Sequence, residues 1–94
     1  MRAFEVISDP ESFCQGVMAR NSQQRLCNPT HKDACQWSAG GAIRKVYRRE
    51  PERDRQLVRL LDYVQDHDKF QFICDWNDEM EWGYVHKTLK ELNI

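Results

Sequence analysis

Residues 33–48, DACQWSAGGAIRKVYR, form the stretch that decides the fold. Asp33 is a typical N-cap residue, and it predicts a helix from about residue 34 to residue 48. Gly40 and Gly41 lie inside this helix, where a glycine costs about 1 kcal/mol relative to alanine. The pair therefore indicates that another backbone packs closely against the helix.

A helix over residues 10–20 is predicted upstream. The sequence Ser-Asp-Pro-Glu at positions 8–11 supplies a capping side chain, a proline suited to the first turn and an acidic residue for the positive end of the helix dipole. Gly16 and Ala19 are small enough to make the close contact with the glycine pair. Residues 21–32 are polar and contain Asn-Pro-Thr, which predicts a loop.

Two further helices follow. One begins at Pro51, because proline suits the first helical turn, and the other begins near Asn77 or Asp78. Four apolar residues of the third helix recur with the helical period: Leu57, Leu60, Leu61 and Val64. The sequence therefore predicts a mainly α fold, a compact bundle of about four helices. Segments 1–7 and 69–76 alternate weakly, and they could form a minor two-stranded β element.

A chain of 94 residues fits one domain, and we assign residues 1–94 to it. The net charge is −1, but residues 1–59 carry 11 basic and 7 acidic side chains, whereas residues 60–94 carry 3 and 8. Such a dipole could steer a protein partner. No apolar run approaches the ~20 residues that span a bilayer, and no secretory signal is evident. We expect a cytoplasmic protein without a membrane partner; the oligomeric state stays open.

Cys27, His31 and Cys35 follow a C-x3-H-x3-C spacing that could supply part of a zinc site. The paired C-x2-C spacing of zinc knuckles is missing, so the fourth ligand must come from elsewhere. Three residues are candidates for it: Cys14, His67 and Cys74. Packing roles for these side chains are the simpler interpretation, and we expect no metal and no cofactor.

Cys14 or Ser38 could act as a nucleophile if a histidine lay beside it, but no nucleophile-elbow motif surrounds either residue. Packing is the commoner role, so the sequence favours a protein that is not an enzyme. Residues 44–59 contain seven basic side chains, a pattern that phosphate contacts require. Acidic residues interrupt this segment and favour local ion pairs, which disfavours nucleic-acid binding. Among the three tryptophans, Trp82 is the best candidate for an exposed contact.

Three segments together resemble a known family. Residues 13–21 resemble W-x-Q-G-x-x-A-R-D, residues 37–43 resemble W-[CS]-A-x-G-A-[LI], and residues 76–78 match W-N-D ahead of a terminal helix. In this order they are similar to a family of small bacterial and phage proteins that is catalogued as a domain of unknown function. Phe13 replaces the usual tryptophan, and Ser38 stands where the family often has cysteine, which counts against a thiol nucleophile there.

The resemblance implies a fold and a bacterial or phage origin, with host cytoplasm as the location, but it implies no reaction. If the family shares a polar site, its residues here are Gln15, Arg20, Asn21, Ser38, Asn77 and Asp78. Our preferred hypothesis is a small accessory protein that binds a protein partner. The alternatives are a hydrolase or transferase using that polar site, and a nucleic-acid-binding module using residues 44–59. A purely structural role for the polar residues, with Arg20 paired to Asp78, is equally consistent with the sequence.

Overall fold

The computed structural model describes all residues from 1 to 94. The chain forms five helices and a two-stranded antiparallel sheet, which confirms the predicted mainly α class. The helices are α1 (Ala3–Val6), α2 (Ala39–Val46), α3 (Glu50–His67), α4 (Ile73–Glu79) and α5 (Trp82–Glu91), and the strands are β1 (Ala19–Asn21) and β2 (Ala34–Trp37). None of the helices has the length and hydropathy that crossing a bilayer requires.

The glycine-containing helix is shorter than predicted. Residues 34–37 form β2, and α2 begins only after Ser38, whose hydroxyl accepts a hydrogen bond from the Gly41 amide at 3.1 Å. The cap is therefore Ser38 and not Asp33. Strand pairing with β1 satisfies the backbone of residues 34–37, which a longer helix would have had to satisfy internally.

The helix predicted over residues 10–20 is wrong. Its capping signal produces only a 3-10 turn, Pro10–Ser12, and the chain then runs in an irregular path into β1. Gly16 has a φ of +83°, a left-handed conformation that glycine adopts at low cost and that a helix interior does not allow. Strand β1 pairs with β2 in the register Ala19 to Trp37, and the predicted loop joins the two strands.

The two segments that were predicted as extended, residues 1–7 and 69–76, do not form strands. Residues 3–6 form α1, whose Ala3 packs in the core together with Ile7. Residues 69–72 contain no strand, and α4 begins at Ile73. The sheet of this fold is therefore built by β1 and β2 and not by residues 1–7 and 69–76. Short amphipathic segments of this kind fit either structure by pattern alone.

Helix α3 confirms its prediction, since Pro51 lies in its first turn and Leu60 and Val64 are fully buried. The last helix begins at Trp82 and not near residue 77, because Asn77 lies inside the separate helix α4. The core collects eleven buried apolar residues from α1, α2, α3, α4, α5 and the chain end. Trp76 is the largest of them.

The close backbone contact predicted at the glycine pair is present at Gly41. A Cβ atom on this residue would lie 2.8 Å from the carbonyl carbon of Met18 and closer still to its oxygen. The partner is the irregular segment that leads into β1, and it is not a helix containing Gly16 and Ala19. Glycine at position 41 therefore lets the N-terminal segment lie directly on α2.

Candidate functional site

Asn77 is the centre of a polar cluster that joins three parts of the chain. Its side chain is 1% exposed. The Oδ1 atom accepts a hydrogen bond from the Ala39 amide at 2.8 Å, and Nδ2 donates to the Cys14 carbonyl at 3.2 Å. One amide side chain thus satisfies the first amide of α2 and a buried carbonyl of the N-terminal segment.

Gln15 and Asp78 bind the same segment to α4. Gln15 Nε2 donates to the carbonyls of Asn77 at 3.0 Å and Met80 at 2.9 Å. Asp78 Oδ1 accepts from the Gly16 amide at 2.7 Å. We call Gln15, Asn77 and Asp78 the clasp. Each of its side chains bonds to backbone groups, including Asp78, for which the structural interpretation of the sequence predicts an ion pair with Arg20.

Arg20 and Asn21, the other polar residues of the resemblance, do not join the clasp through their side chains in the predicted way. The Arg20 guanidinium donates to the carbonyls of Gln24 and Gln15, so the predicted ion pair with Asp78 is wrong. Asn21 Oδ1 accepts from the amides of Gln23 and Arg25, at 2.9 and 3.1 Å. Asn21 therefore shapes the turn after β1.

The two candidate nucleophiles have no base beside them. Cys14 is buried, and its thiol donates weakly to the Val17 carbonyl at 3.7 Å. Burial raises the pKa of this thiol to about 11, and the nearby positive charge of Arg20 does not offset the effect. Ser38 caps α2 and also donates to the Met18 carbonyl at 3.5 Å. Neither side chain hydrogen-bonds to a histidine, so the geometry supplies no activated nucleophile.

The spacing of Cys27, His31 and Cys35 does not produce a metal-binding arrangement. No three side chains of His, Cys, Asp or Glu are grouped so that they could hold an ion. All four cysteines are free thiols. His31 Nδ1 instead accepts from the Asp33 amide at 3.1 Å, which fixes the loop before β2.

Trp82 is half buried and not exposed. Its Nε1 donates to the Ile7 carbonyl at 2.7 Å, and its ring stacks on His86 with a centroid distance of 5.4 Å. These contacts join α5 to the segment after α1. Trp82 therefore offers little free surface to a partner.

A largely apolar groove lies next to the clasp, and Asn77 and Asp78 of the clasp belong to its lining. It has a volume of about 520 Å³ and runs between the segment 16–18, α2, α3 and the start of α4. Eight hydrophobic residues line it: Val17, Met18, Leu57, Val58, Leu61, Phe72, Ile73 and Cys74. We call this surface the apolar groove. Three of the five exposed large hydrophobic side chains of the protein lie in it, namely Met18 (42% exposed), Val58 (53%) and Phe72 (54%).

Arg44 belongs to the lining of the apolar groove. Its guanidinium donates to the Gly40 carbonyl at 3.2 Å and forms no ion pair. Burial and the charge of Arg53 lower the pKa of Arg44 below its usual value. Elsewhere in the basic segment 44–59, local ion pairs form as predicted: Arg53 with Glu50 and Asp54, and Arg55 with Glu52.

Sequence comparison gives the family. The model of a family of unknown function, DUF6197, matches residues 1–91. This chain belongs to the DUF6197 family. No curated protein and no solved structure shows significant similarity to it. Membership in DUF6197 covers every element from α1 to α5, so the clasp and the apolar groove both lie within the matched region.

A second polar cluster of this DUF6197 chain was not predicted from the sequence. The Asp68 carboxylate accepts hydrogen bonds from Trp76 Nε1 at 2.8 Å and from the Tyr84 hydroxyl at 2.8 and 2.9 Å. Burial raises the pKa of Asp68, but hydrogen bonds from His67, Trp76 and Tyr84 outweigh it, and the pKa lies below its usual value. Burial and the hydrogen bonds with Tyr63 and Asp68 raise the pKa of Tyr84.

The sequence did contain signals for both missed features. A buried tryptophan or tyrosine needs a partner for its polar tip, and Asp68 is an acidic residue in the linker between α3 and α4. Val58 lies off the apolar stripe of α3 and so predicts an exposed hydrophobic position. Neither signal identifies the residues that lie next to Asp68 or Val58 in the folded protein, since those residues come from distant parts of the chain.

Proposed function

We propose that this DUF6197 protein is a small accessory module that binds a protein partner in the apolar groove. The observation that carries the proposal is the convergence of Met18, Val58 and Phe72, because exposed hydrophobic side chains that cluster in one concave surface are typical of interaction sites. The proposed partner is a bacterial cytoplasmic protein, an expectation that rests on the resemblance to bacterial and phage proteins alone.

The occupant that fits best is an amphipathic segment of the partner with an acidic residue beside its apolar ones. The groove offers apolar surface between α3 and the start of α4, and its lining includes the guanidinium of Arg44, which forms no ion pair, and the carboxylate of Asp78, which accepts from the Gly16 amide. Each partner side chain that becomes fully buried there contributes about 1.5–3 kcal/mol, and a carboxylate next to Arg44 would fix the orientation.

The two other functions have less support. Asn77 and Asp78 belong to the lining of the apolar groove, but the hydrogen bonds of Gln15, Asn77 and Asp78 go to backbone groups, which gives a hydrolase or transferase less support. A nucleic-acid surface along residues 44–59 would need continuous positive charge, but Glu50, Glu52 and Asp54 interrupt this segment and pair with Arg53 and Arg55.

A matched pair of variants tests the proposal. Val58→Asp places a charge in the groove, whereas Leu26→Asp makes the same kind of change at a side chain that is 69% exposed and lies outside it. Both chains should fold, because both positions are exposed. We expect proteins that co-purify with the unmodified chain from its own cells to be lost with Val58→Asp and kept with Leu26→Asp. Equal retention by both variants would contradict the proposal.

A further inference from the structure

Three arginines surround a second depression, next to the apolar groove. Arg44, Arg48 and Arg53 line it together with Asn28, Pro29, Thr30 and Met18, and its volume is about 480 Å³. We call it the arginine pocket. No carboxylate belongs to its lining, although acidic side chains alternate with basic ones in the neighbouring sequence.

The positive charge of the arginine pocket is poorly compensated. Arg44 and Arg48 form no ion pair and donate only to the nearby carbonyls of Gly40 and Lys45, at 3.2 and 3.3 Å. Arg53 does contact Glu50 and Asp54, at 3.5 and 3.3 Å, but those carboxylates are exposed and lie outside the lining. Surface pairs of this kind are worth little and exchange easily. An anion in the pocket would therefore meet up to three available guanidinium groups.

The opposite wall of the arginine pocket is a fixed loop. Asn28 Oδ1 accepts from both the amide and the hydroxyl of Thr30, at 2.9 and 2.8 Å, and this orientation leaves Asn28 Nδ2 free to donate. Trp37 Nε1 donates to the Pro29 carbonyl at 2.9 Å and so ties the loop to β2. The wall thus adds a neutral donor to the three cations without adding a negative charge.

We propose that the arginine pocket binds a phosphate dianion, as inorganic phosphate or as the phosphate group of a small phosphomonoester. Guanidinium groups match the oxygens of a phosphate in pairs, and a doubly charged group with three terminal oxygens suits several arginines at once. The pocket has room for more than the bare ion. It shares Met18 and Arg44 with the apolar groove, so the rest of an ester would extend in that direction.

This site does not depend on the proposed protein partner, because Arg48 and Arg53 line only the arginine pocket. The test is a titration of the 15N-labelled protein with inorganic phosphate and, separately, with phenyl phosphate, each at constant ionic strength maintained with chloride. We expect saturable shifts of the Nε–H resonances of Arg44, Arg48 and Arg53. Equal affinities would identify the free ion as the source, and tighter binding of phenyl phosphate would identify an ester.

Two arginine variants make the result specific. Arg48→Gln should weaken phosphate binding about 10-fold, since it removes a charge-assisted contact. Arg55→Gln is the control, because Arg55 is an exposed arginine of α3 outside the pocket, paired with Glu52. Shifts that do not saturate, or equal losses in the two variants, would overturn the proposal. A short oligonucleotide that binds more tightly than either phosphate compound would also overturn it in favour of a nucleic-acid surface.

Discussion

Replacing Asn77 with alanine should destabilise this protein strongly, while the residues of α3 that line the apolar groove stay unchanged. The change leaves two buried backbone groups without partners, the Ala39 amide and the Cys14 carbonyl. Each unsatisfied group costs about 1–3 kcal/mol, so the expected loss in the free energy of unfolding is about 2–5 kcal/mol if a water molecule partly replaces the amide. A chain of this size has a total unfolding free energy of about 5–14 kcal/mol, so the expected loss is a large fraction of it.

Urea denaturation followed by circular dichroism measures this loss, with Glu79→Ala as the matched control on α4. Glu79 is exposed and makes no side-chain hydrogen bond, so its replacement should change the unfolding free energy by less than about 0.5 kcal/mol. Hydrogen exchange should also become faster at the Ala39 amide. An Asn77→Ala midpoint equal to that of Glu79→Ala, at an unchanged denaturant slope, would refute the structural role of the clasp.

Three further predictions follow from the packing and the titrating groups. Gly41→Ala should lower the unfolding free energy by about 3 kcal/mol, because the added Cβ would meet the backbone of Met18. Gly83→Ala should raise it by about 0.5–1 kcal/mol, because nothing lies within 4 Å of the added Cβ. Thermal melts of the two variants should therefore shift in opposite directions. Cys14, buried and with a pKa of about 11, should react with a maleimide at pH 8 only after unfolding, whereas exposed Cys74 should react at once, and mass spectrometry of partly labelled protein would reveal any reversal. The pKa of Asp68 is lowered, so its ionised carboxylate stabilises the fold at pH values above about 4, and this stabilisation is lost as the pH falls through the folded-state pKa. Asp68→Asn should therefore flatten the acid side of the curve of stability against pH. An unchanged slope in pH-dependent urea melts would count against this prediction.

Local signals in the sequence predicted those elements that depend mainly on neighbouring residues. Helix α3 begins at a proline and carries a regular apolar stripe, and both features act within a few turns. Gly41 likewise indicated a close backbone contact from its position alone. These predictions needed no knowledge of the distant chain.

The predictions that failed depend on contacts across long sequence distances. Residues 10–20 have a good helix start, but Asn77 holds the Cys14 carbonyl from 63 positions away, and Gly16 turns the chain with a positive φ. Pairing of β1 with β2 then removes residues 34–37 from the predicted helix. A local pattern cannot weigh such hydrogen bonds against helix propensity, because their partners become neighbours only in the folded chain.

The same reasoning applies to the candidate site. The residues that carry the resemblance were visible in the sequence, and Gln15, Asn77 and Asp78 do come together, although their bonds go to backbone. The apolar groove was not visible, since Met18, Val58 and Phe72 belong to three separate segments. Only their convergence distinguishes them from single exposed hydrophobic residues, which are common on protein surfaces.

Site-specific photo-cross-linking tests the central claim most directly, namely that the apolar groove is where a protein partner binds. A benzophenone amino acid is placed at position 58 in the groove and, in a second chain, at position 26 outside it, and both are irradiated in the native cells. We predict a defined adduct from position 58 that disappears when Phe72→Asp is added, with no such adduct from position 26. The same adducts from both positions, or none from position 58, would contradict the account.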